Sequence, residues 1–259
     1  SASLVGSEMC IRDRINNEVK ILLVGNGGVG KTQIAKRLAE QKKYVFNTQH
    51  DSTHAICLLE HSFACRSLPV LRLKLQLWDF AGQELYHATH RLFMQTKALF
   101  FLVWDLESEH TPFHIHDNKK YENEKMDYWL EYIYHFGQKS PVLVLQNKTE
   151  NETAKKYGVP PASQTAYQEL YNIKDFLQVS AKTGDGFWAL EKAIVDVFEK
   201  DEALRNDLLS ELPSSWVKIR TKCRKALKKG KKSMSLADFE KWCEKAEVKK
   251  SMTCLLYTS

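Results

Sequence analysis

Residues 25–32 read Gly-Asn-Gly-Gly-Val-Gly-Lys-Thr, a full G-x-x-x-x-G-K-[ST] pattern. Residue types at this spacing suit a phosphate. Gly25, Gly27, Gly28 and Gly30 carry no Cβ, so successive backbone N–H groups, those of Asn26 and Val29 among them, can close around phosphate oxygens. A helix opening just after the loop adds the positive end of its dipole. Lys31 then reaches the β- and γ-phosphates, and the Thr32 hydroxyl is placed for Mg²⁺.

Three further segments fit the same chemistry. In Trp78-Asp79-Phe80-Ala81-Gly82-Gln83-Glu84, Asp79 at the end of a strand can hold Mg²⁺ through water. Gly82 can offer a backbone N–H to a γ-phosphate, and Gln83 can orient an attacking water. Alone, D-x-x-G-Q marks only a turn after a strand; its weight comes from following a phosphate loop and a hairpin. Asn147-Lys148-Thr149-Glu150 comes next. The Glu150 carboxylate can accept two hydrogen bonds from the N1–H and N2–H₂ edge of guanine. Adenine lacks that donor pair and would leave the carboxylate unpaired. In Ser180-Ala181-Lys182 a backbone N–H can meet guanine O6.

These segments need a scaffold that brings them together. Val19 to Val24 is a nearly continuous apolar run, as is Ala98 to Trp104, with Val142 to Leu145 a third. Such runs read as strands buried on both faces. Leu71, Leu73, Leu75 and Leu77 alternate with Arg72, Lys74, Gln76 and Trp78, a strand with one wetter face. Ile56 to Glu60 and Phe176 to Val179 read as shorter strands. Thr32 to Gln41, Tyr121 to Phe136 and Phe187 to Phe198 carry apolar residues at helical spacing. Strands alternating with helices predict an α/β fold, a mostly parallel sheet with helices on both faces. The four segments then sit at the C-terminal ends of strands, where such sheets bind ligands.

Composition narrows the class. Of 259 residues, 43% are hydrophobic and 27% charged, enough apolar surface for a core. The run Ala98 to Trp104 is too short to span a bilayer, which takes about 20 residues. Six scattered cysteines without a C-x-x-C pair predict a reducing, cytoplasmic setting. The net charge of +6 is uneven: Trp216 to Lys250 holds 13 basic and 4 acidic residues, which leaves the remainder at −3. That basic stretch reads as a solvated helix face or a surface for missing chain. It leaves peripheral contact with anionic lipid open, and no nucleic-acid motif accompanies it. His110, His114 and His116, like His50, His54 and His61, fall in predicted loops without a zinc-ligand framework. Past Leu212-Pro213-Ser214-Ser215 the chain changes character. A basic helix is expected over Trp216 to Lys229, and Ser235 to Asp238 reads as a capping box for a last helix through Phe239, Trp242 and Cys243.

With the four segments in this order, the chain resembles the Ras-like GTPase superfamily of P-loop NTPases from about Val19 to Phe198. Trp78 to His90 resembles the Roc (Ras of complex proteins) domains of Roco proteins in particular. Leu212-Pro-Ser-Ser-Trp-Val-Lys218 is similar to the entry into the COR domain that follows Roc there. The resemblance implies a Ras-like G domain that binds GTP and GDP with Mg²⁺, hydrolyses GTP slowly as a molecular switch, and forms a homodimer through COR. It implies catalytic roles for Gln83, Lys31 and Thr53, and Mg²⁺ ligation by Thr32, Thr53 and Asp79. Thr53 falls where the family's switch threonine would close on the γ-phosphate, a place for which Ser52 and Thr48 compete. Nucleotide contacts fall to residues 25–32, Gly82, Asn147, Lys148, Glu150, Ser180, Ala181 and Lys182. Most of the superfamily has Asp at position 150; Glu keeps the carboxylate and changes its reach.

The expected organisation is a Roc domain over residues 15–200 and a linker with a truncated COR beginning over 201–253. Residues 1–14 and 254–259 resemble translated sequencing adapter, which implies a fragment cut at both sides. Three other readings stand beside the switch: a nucleotide-bound dimerisation module without turnover, a stand-alone Rab-like GTPase, and a P-loop ATPase or nucleotide kinase, against which the Asn147–Glu150 and Ser180–Lys182 segments speak.

Overall fold

The computed structural model describes residues 16–47, 56–64, 72–80, 94, 97–116, 119–156, 165–208, 210–230 and 233–248. They fall into two compact units, residues 17–206 and a smaller one holding residue 16 with the chain from 207 onward.

The larger unit is built on a six-stranded sheet: β1 (Glu18–Val24), β2 (Ile56–Ala64), β3 (Arg72–Phe80), β4 (Leu99–Trp104), β7 (Val142–Gln146) and β8 (Ile173–Gln178). The spatial order is β2-β3-β1-β4-β7-β8. Only β2 runs antiparallel, pairing with β3 as a hairpin; the other neighbours are parallel. All six residues of β4 are buried, and so are all five of β7. Their continuous apolar sequences follow from helices covering both faces of a parallel sheet. In β3 the pattern from Arg72 alternates exposed or half-buried with buried until Phe80, the wetter face that Arg72, Lys74 and Gln76 announce.

Helix α1 (Lys31–Glu40) turns Ile34, Ala35 and Leu38 inward and packs on β1, β2 and β3. After β4 comes the short helix α2 (Leu106–His110), capped by Asp105, whose side chain accepts the Ser108 N–H. Helix α3 (Met126–Phe136) buries Met126, Trp129, Leu130 and Ile133, the i, i+3, i+4, i+7 stripe of an amphipathic helix. These join Leu22, Val24, Phe100, Leu102, Val142 and Val144 in one core. Two short helices, α4 (Glu152–Lys156) and α5 (Thr165–Leu170), precede β8. Helix α6 (Phe187–Lys200) packs on β8, and α7 (Glu202–Leu208) follows.

Two sequence expectations are corrected here. The helix expected over Tyr121 to Phe136 begins only at Met126. Lys119–Glu122 is instead strand β6, pairing antiparallel with β5 (Phe113–His116). Asn123 ends the hairpin by donating from its side chain to Thr111 and accepting from His114 Nδ1 at 2.7 Å. The histidines placed in loops lie elsewhere too: His110 closes α2, His114 and His116 sit on β5, and His61 is buried on β2. His114 stacks on Tyr121, and the His61 ring meets the Gln41 amide at 3.4 Å. His50 and His54 lie outside the described residues.

The smaller unit holds α8 (Ser214–Lys228) and α9 (Leu236–Lys245). Ser235 caps α9 by accepting the Asp238 N–H at 3.2 Å. Ile219, Phe239, Cys243 and Val248 form its core. No helix among the described residues is long and apolar enough to cross a membrane.

Candidate nucleotide site

The loop between β1 and α1 runs along the C-terminal edge of the sheet. Gly25 adopts φ +137°, and a Cβ there would lie 2.0 Å from the Val103 carbonyl oxygen. Gly30 adopts φ +93°, and its Cβ would lie 2.3 Å from Asn147 Nδ2. Both positions therefore need glycine, for backbone conformation and for room. Val29 is fully buried, while Gly28 is exposed at the turn.

Lys31 opens α1 and is buried. Its Nζ donates to the carbonyls of Gly25 at 2.8 Å and Asn26 at 2.7 Å. Burial pushes its pKa down to about 8, against the opposing pull of the Asp79 carboxylate. Phosphate oxygens arriving at the loop would reverse that shift, because a desolvated ammonium gains most from a new counter-charge. The neighbouring Thr32 donates its hydroxyl to Asp79 Oδ2 at 2.5 Å. Asp79 is fully buried on β3 and stands in register with Leu23 of β1. A carboxylate and a hydroxyl this close are the hard oxygen donors that suit Mg²⁺.

Asn26 has a role its motif position does not announce. Its Nδ2 donates to the Glu124 carbonyl at 2.7 Å. Its Oδ1 accepts from the Glu124 N–H at 3.0 Å and from Trp129 Nε1 at 3.1 Å. The side chain is thus committed to Glu124 and to Trp129 of α3, which leaves only the backbone of Asn26 to the loop.

The loops after β7 and β8 are tied to this one and to each other. Asn147 Nδ2 donates to the Val29 carbonyl at 2.8 Å, and its Oδ1 accepts the Ala181 N–H at 3.0 Å. Ser180, fully buried, donates its hydroxyl to Glu150 Oε2 at 2.6 Å and accepts the Thr183 N–H at 3.1 Å. Lys148 takes the left-handed conformation at φ +62°, and its Nζ pairs with Asp105 Oδ2 at 2.5 Å. Next to it lies a cavity of about 650 Å³ lined by Asp105, Leu106, His110, Lys148, Glu150 and Ala154. Lys182 is exposed on the loop after Ala181.

Residues 25–32, Asp79, Asn147, Lys148, Glu150, Ser180, Ala181 and Lys182 therefore share one edge of the sheet. Thr53, Gly82 and Gln83 lie outside the described residues. Sequence reasoning passed over Asp105, Glu124 and Arg37, which position the loops from behind. None lies within a short motif, so only the fold brings them into view.

A family model described as "Ras of Complex, Roc, domain of DAPkinase" matches residues 20–150. A Roc-COR-CHAT protease from an unknown prokaryotic organism is 29% identical over 196 residues, covering 71% of this chain and 17% of the protease. Human Ras-related protein Rab-15 is 28% identical over 200 residues, covering 74% of this chain and 84% of Rab-15. The solved structure of Methanosarcina barkeri Roco2 RocCORdC bound to GDP matches with a TM-score of 0.67 at 29% identity, over 94% of this chain and 66% of that one. The chain spans 7 to 24% of the length of the four long curated relatives it matches. The family match takes in the phosphate loop, Asp79 and the Asn147–Glu150 segment, three of the four elements gathered at the sheet edge. The chain belongs to the Roc family of Ras-like P-loop domains.

Proposed function

We propose that this chain is the guanine-nucleotide switch of a larger Roco-type signalling protein, binding GTP and GDP and hydrolysing GTP with slow intrinsic turnover. The observation that carries the reading is the Glu150 carboxylate, held at 2.6 Å by the Ser180 hydroxyl beside the Ala181 N–H. In this reading the carboxylate and the Ala181 N–H, which now serves Asn147 Oδ1, would supply the acceptor and donor for the N1, N2 and O6 edge of guanine. The fit to the RocCOR structure solved with GDP, over 94% of this chain, supports the same reading.

In this proposal the loop amides and Lys31 neutralise the phosphates. Thr32 and Asp79 would hold Mg²⁺, which would supply neutralisation of phosphate charge. Gln83 orients the attacking water, and Gly82 and Thr53 respond to the γ-phosphate. The protein is cytoplasmic and dimerises through the COR region that the 201–253 segment begins. Residues 1–14 and 254–259 remain, in this proposal, adapter-derived and without biological role.

Displacement of fluorescent GDP from the full chain in Mg²⁺ buffer tests base reading. GTP should compete at least about a hundredfold better than ATP, near 2.7 kcal/mol; equal competition would refute guanine recognition. Single-turnover phosphate release then tests hydrolysis. Gln83→Leu should abolish release while leaving GDP affinity intact, and an unchanged rate would favour a module that binds without turning over. The Rab-15 alignment, spanning 84% of that protein, favours a second reading as a self-sufficient small GTPase. It predicts that a chain ending at Lys200 binds and hydrolyses as the longer one does.

A further inference from the structure

Arg37 projects from α1, six residues after Lys31, and reaches the loop that follows β8. Its Nη1 donates to the Ala181 carbonyl at 2.9 Å and lies 3.4 Å from the Lys182 carbonyl. The guanidinium is flanked by two rings, Tyr44 with its centroid at 4.9 Å and Phe187 at 5.5 Å. Tyr44 is itself fixed, its hydroxyl donating to Gln33 Oε1 at 2.5 Å. Room for the fork comes from Gly184, where a Cβ would fall 2.4 Å from Arg37 Nη2. A planar, aromatic-flanked guanidinium loses little freedom on binding two carbonyls, which a flexible lysine cannot match.

The bond matters because of what lies on the other side of Ala181. Asn147 Oδ1 accepts the Ala181 N–H at 3.0 Å, which fixes the peptide plane before Ala181. Arg37 fixes the plane after it. Neither Arg37 nor its aromatic partners belong to the phosphate, Mg²⁺ or guanine-edge groups named above.

We propose that Arg37 is a positioning residue for base discrimination: by holding the Ala181 and Lys182 carbonyls it keeps the 181–182 loop where the Ala181 N–H can pass from Asn147 Oδ1 to the 6-oxo group of the purine. The proposal rests on the guanine reading given above. An amide N–H aimed at that edge attracts the oxo group of guanine or hypoxanthine and opposes the amino group of adenine. A loop released from Arg37 loses this opposition while Glu150 still reads N1 and N2. A purely structural role would instead weaken every nucleotide alike.

The test measures GDP, IDP and ADP affinity for the full chain and for Arg37→Ala and Arg37→Lys, with melting temperature as a folding control. IDP shares the 6-oxo group with GDP and lacks only the 2-amino group. In Arg37→Ala the GDP-to-ADP ratio should narrow roughly tenfold, the effect of losing a charge-assisted contact, while the GDP-to-IDP ratio holds. Arg37→Lys, which keeps the charge without the fork, should narrow the first ratio less, and it carries the test if the alanine variant does not fold. Equal weakening of all three nucleotides, or an unchanged GDP-to-ADP ratio, overturns the proposal. A wild-type chain that does not distinguish GDP from ADP fails earlier, at the guanine reading itself.

Discussion

Replacing Asn26 with alanine tests how the phosphate loop is held. The side chain is 5% exposed and takes part in three hydrogen bonds, to the Glu124 carbonyl, the Glu124 N–H and Trp129 Nε1. Truncation leaves Trp129 Nε1 inside the core without its acceptor, because Trp129 is 3% exposed; that loss alone is worth about 2 kcal/mol. The Glu124 groups are half-buried, so water replaces part of what they lose, and the total comes to about 3 kcal/mol. For a unit of this size that lowers the melting temperature by roughly 9 °C. Urea unfolding should show a lower midpoint at unchanged slope, since the surface exposed on unfolding is the same. Asn26→Asp sharpens the test. It keeps an acceptor for both donors but sets a carboxylate oxygen against the Glu124 carbonyl, where the amide now donates at 2.7 Å. It should be no more stable than the alanine variant. An alanine variant within about 1 kcal/mol of wild type, or an aspartate variant equal to it, would refute the claim that this side chain fastens the loop to α3.

Lys31→Met should stabilise the protein measured without nucleotide while abolishing GDP binding, because burial holds the ammonium at about 8 against its ordinary 10.5. Below about 8 the lysine is charged both folded and unfolded and the burial penalty is complete; between there and 10.5 only the unfolded chain keeps the proton, so stability rises with pH. Lys31's share of the rise approaches about 3 kcal/mol; Lys20, which burial also lowers to about 8, adds to the same window, so Lys31→Met should shrink the rise without removing it. A pH series of urea midpoints on both proteins reads the difference, and equal rises would contradict the burial of the Lys31 charge. Glu150→Gln keeps an oxygen for the Ser180 hydroxyl and removes the charge facing guanine, so GDP affinity should fall by about 2 kcal/mol with little change in melting temperature. A competition assay with ADP as the insensitive reference checks it. Gly30→Ala should cost about 2 kcal/mol or more and most of the GDP affinity, since its Cβ would meet Asn147 Nδ2 at 2.3 Å; circular-dichroism melting and GDP titration measure the two losses.

The buried strands and the phosphate loop were legible because their signals are local. A strand covered on both faces must be apolar throughout, as Leu99–Trp104 is, and the loop glycines are required by backbone conformation and space. The alternation before Asp79 gave the inward and outward faces of β3 correctly for the same reason. The start of α3 was not legible. Tyr128, Trp129, Tyr132, Ile133 and Phe136 do carry helical spacing, but nothing in it says where the helix opens. The boundary is set by Asn123, whose side chain is committed to Thr111 and His114. Pairing of Tyr121 with His114 across the β5–β6 hairpin then overrides the helical pattern. His61 lies on the nine-residue strand Ile56–Ala64, of which the sequence announces only the first five residues: beyond Glu60 its apolar pattern weakens, and pairing with β3 carries it on. The links behind the site join positions far apart in sequence, Asn26 to Trp129 and Arg37 to Ala181, and no periodicity in one chain reveals such pairs.

Those links also bear on affinity. The donors that would meet a nucleotide already serve acceptors of the protein itself: Lys31 Nζ serves Gly25 and Asn26, and the Ala181 N–H serves Asn147. Binding therefore exchanges partners, and only the difference between old and new bonds contributes. For the Ala181 amide, a neutral donor moving between neutral acceptors, that difference is small, and its value lies in excluding the wrong base. For Lys31 the difference is large, because carbonyl dipoles do not neutralise an ammonium in a buried site and phosphate oxygens do. The same asymmetry divides the labour of the site. In the proposed site the phosphate end would supply the strength of binding, and the loops after β7 and β8, cross-braced by Asn147, Ser180 and Arg37, would supply its selectivity through rigidity.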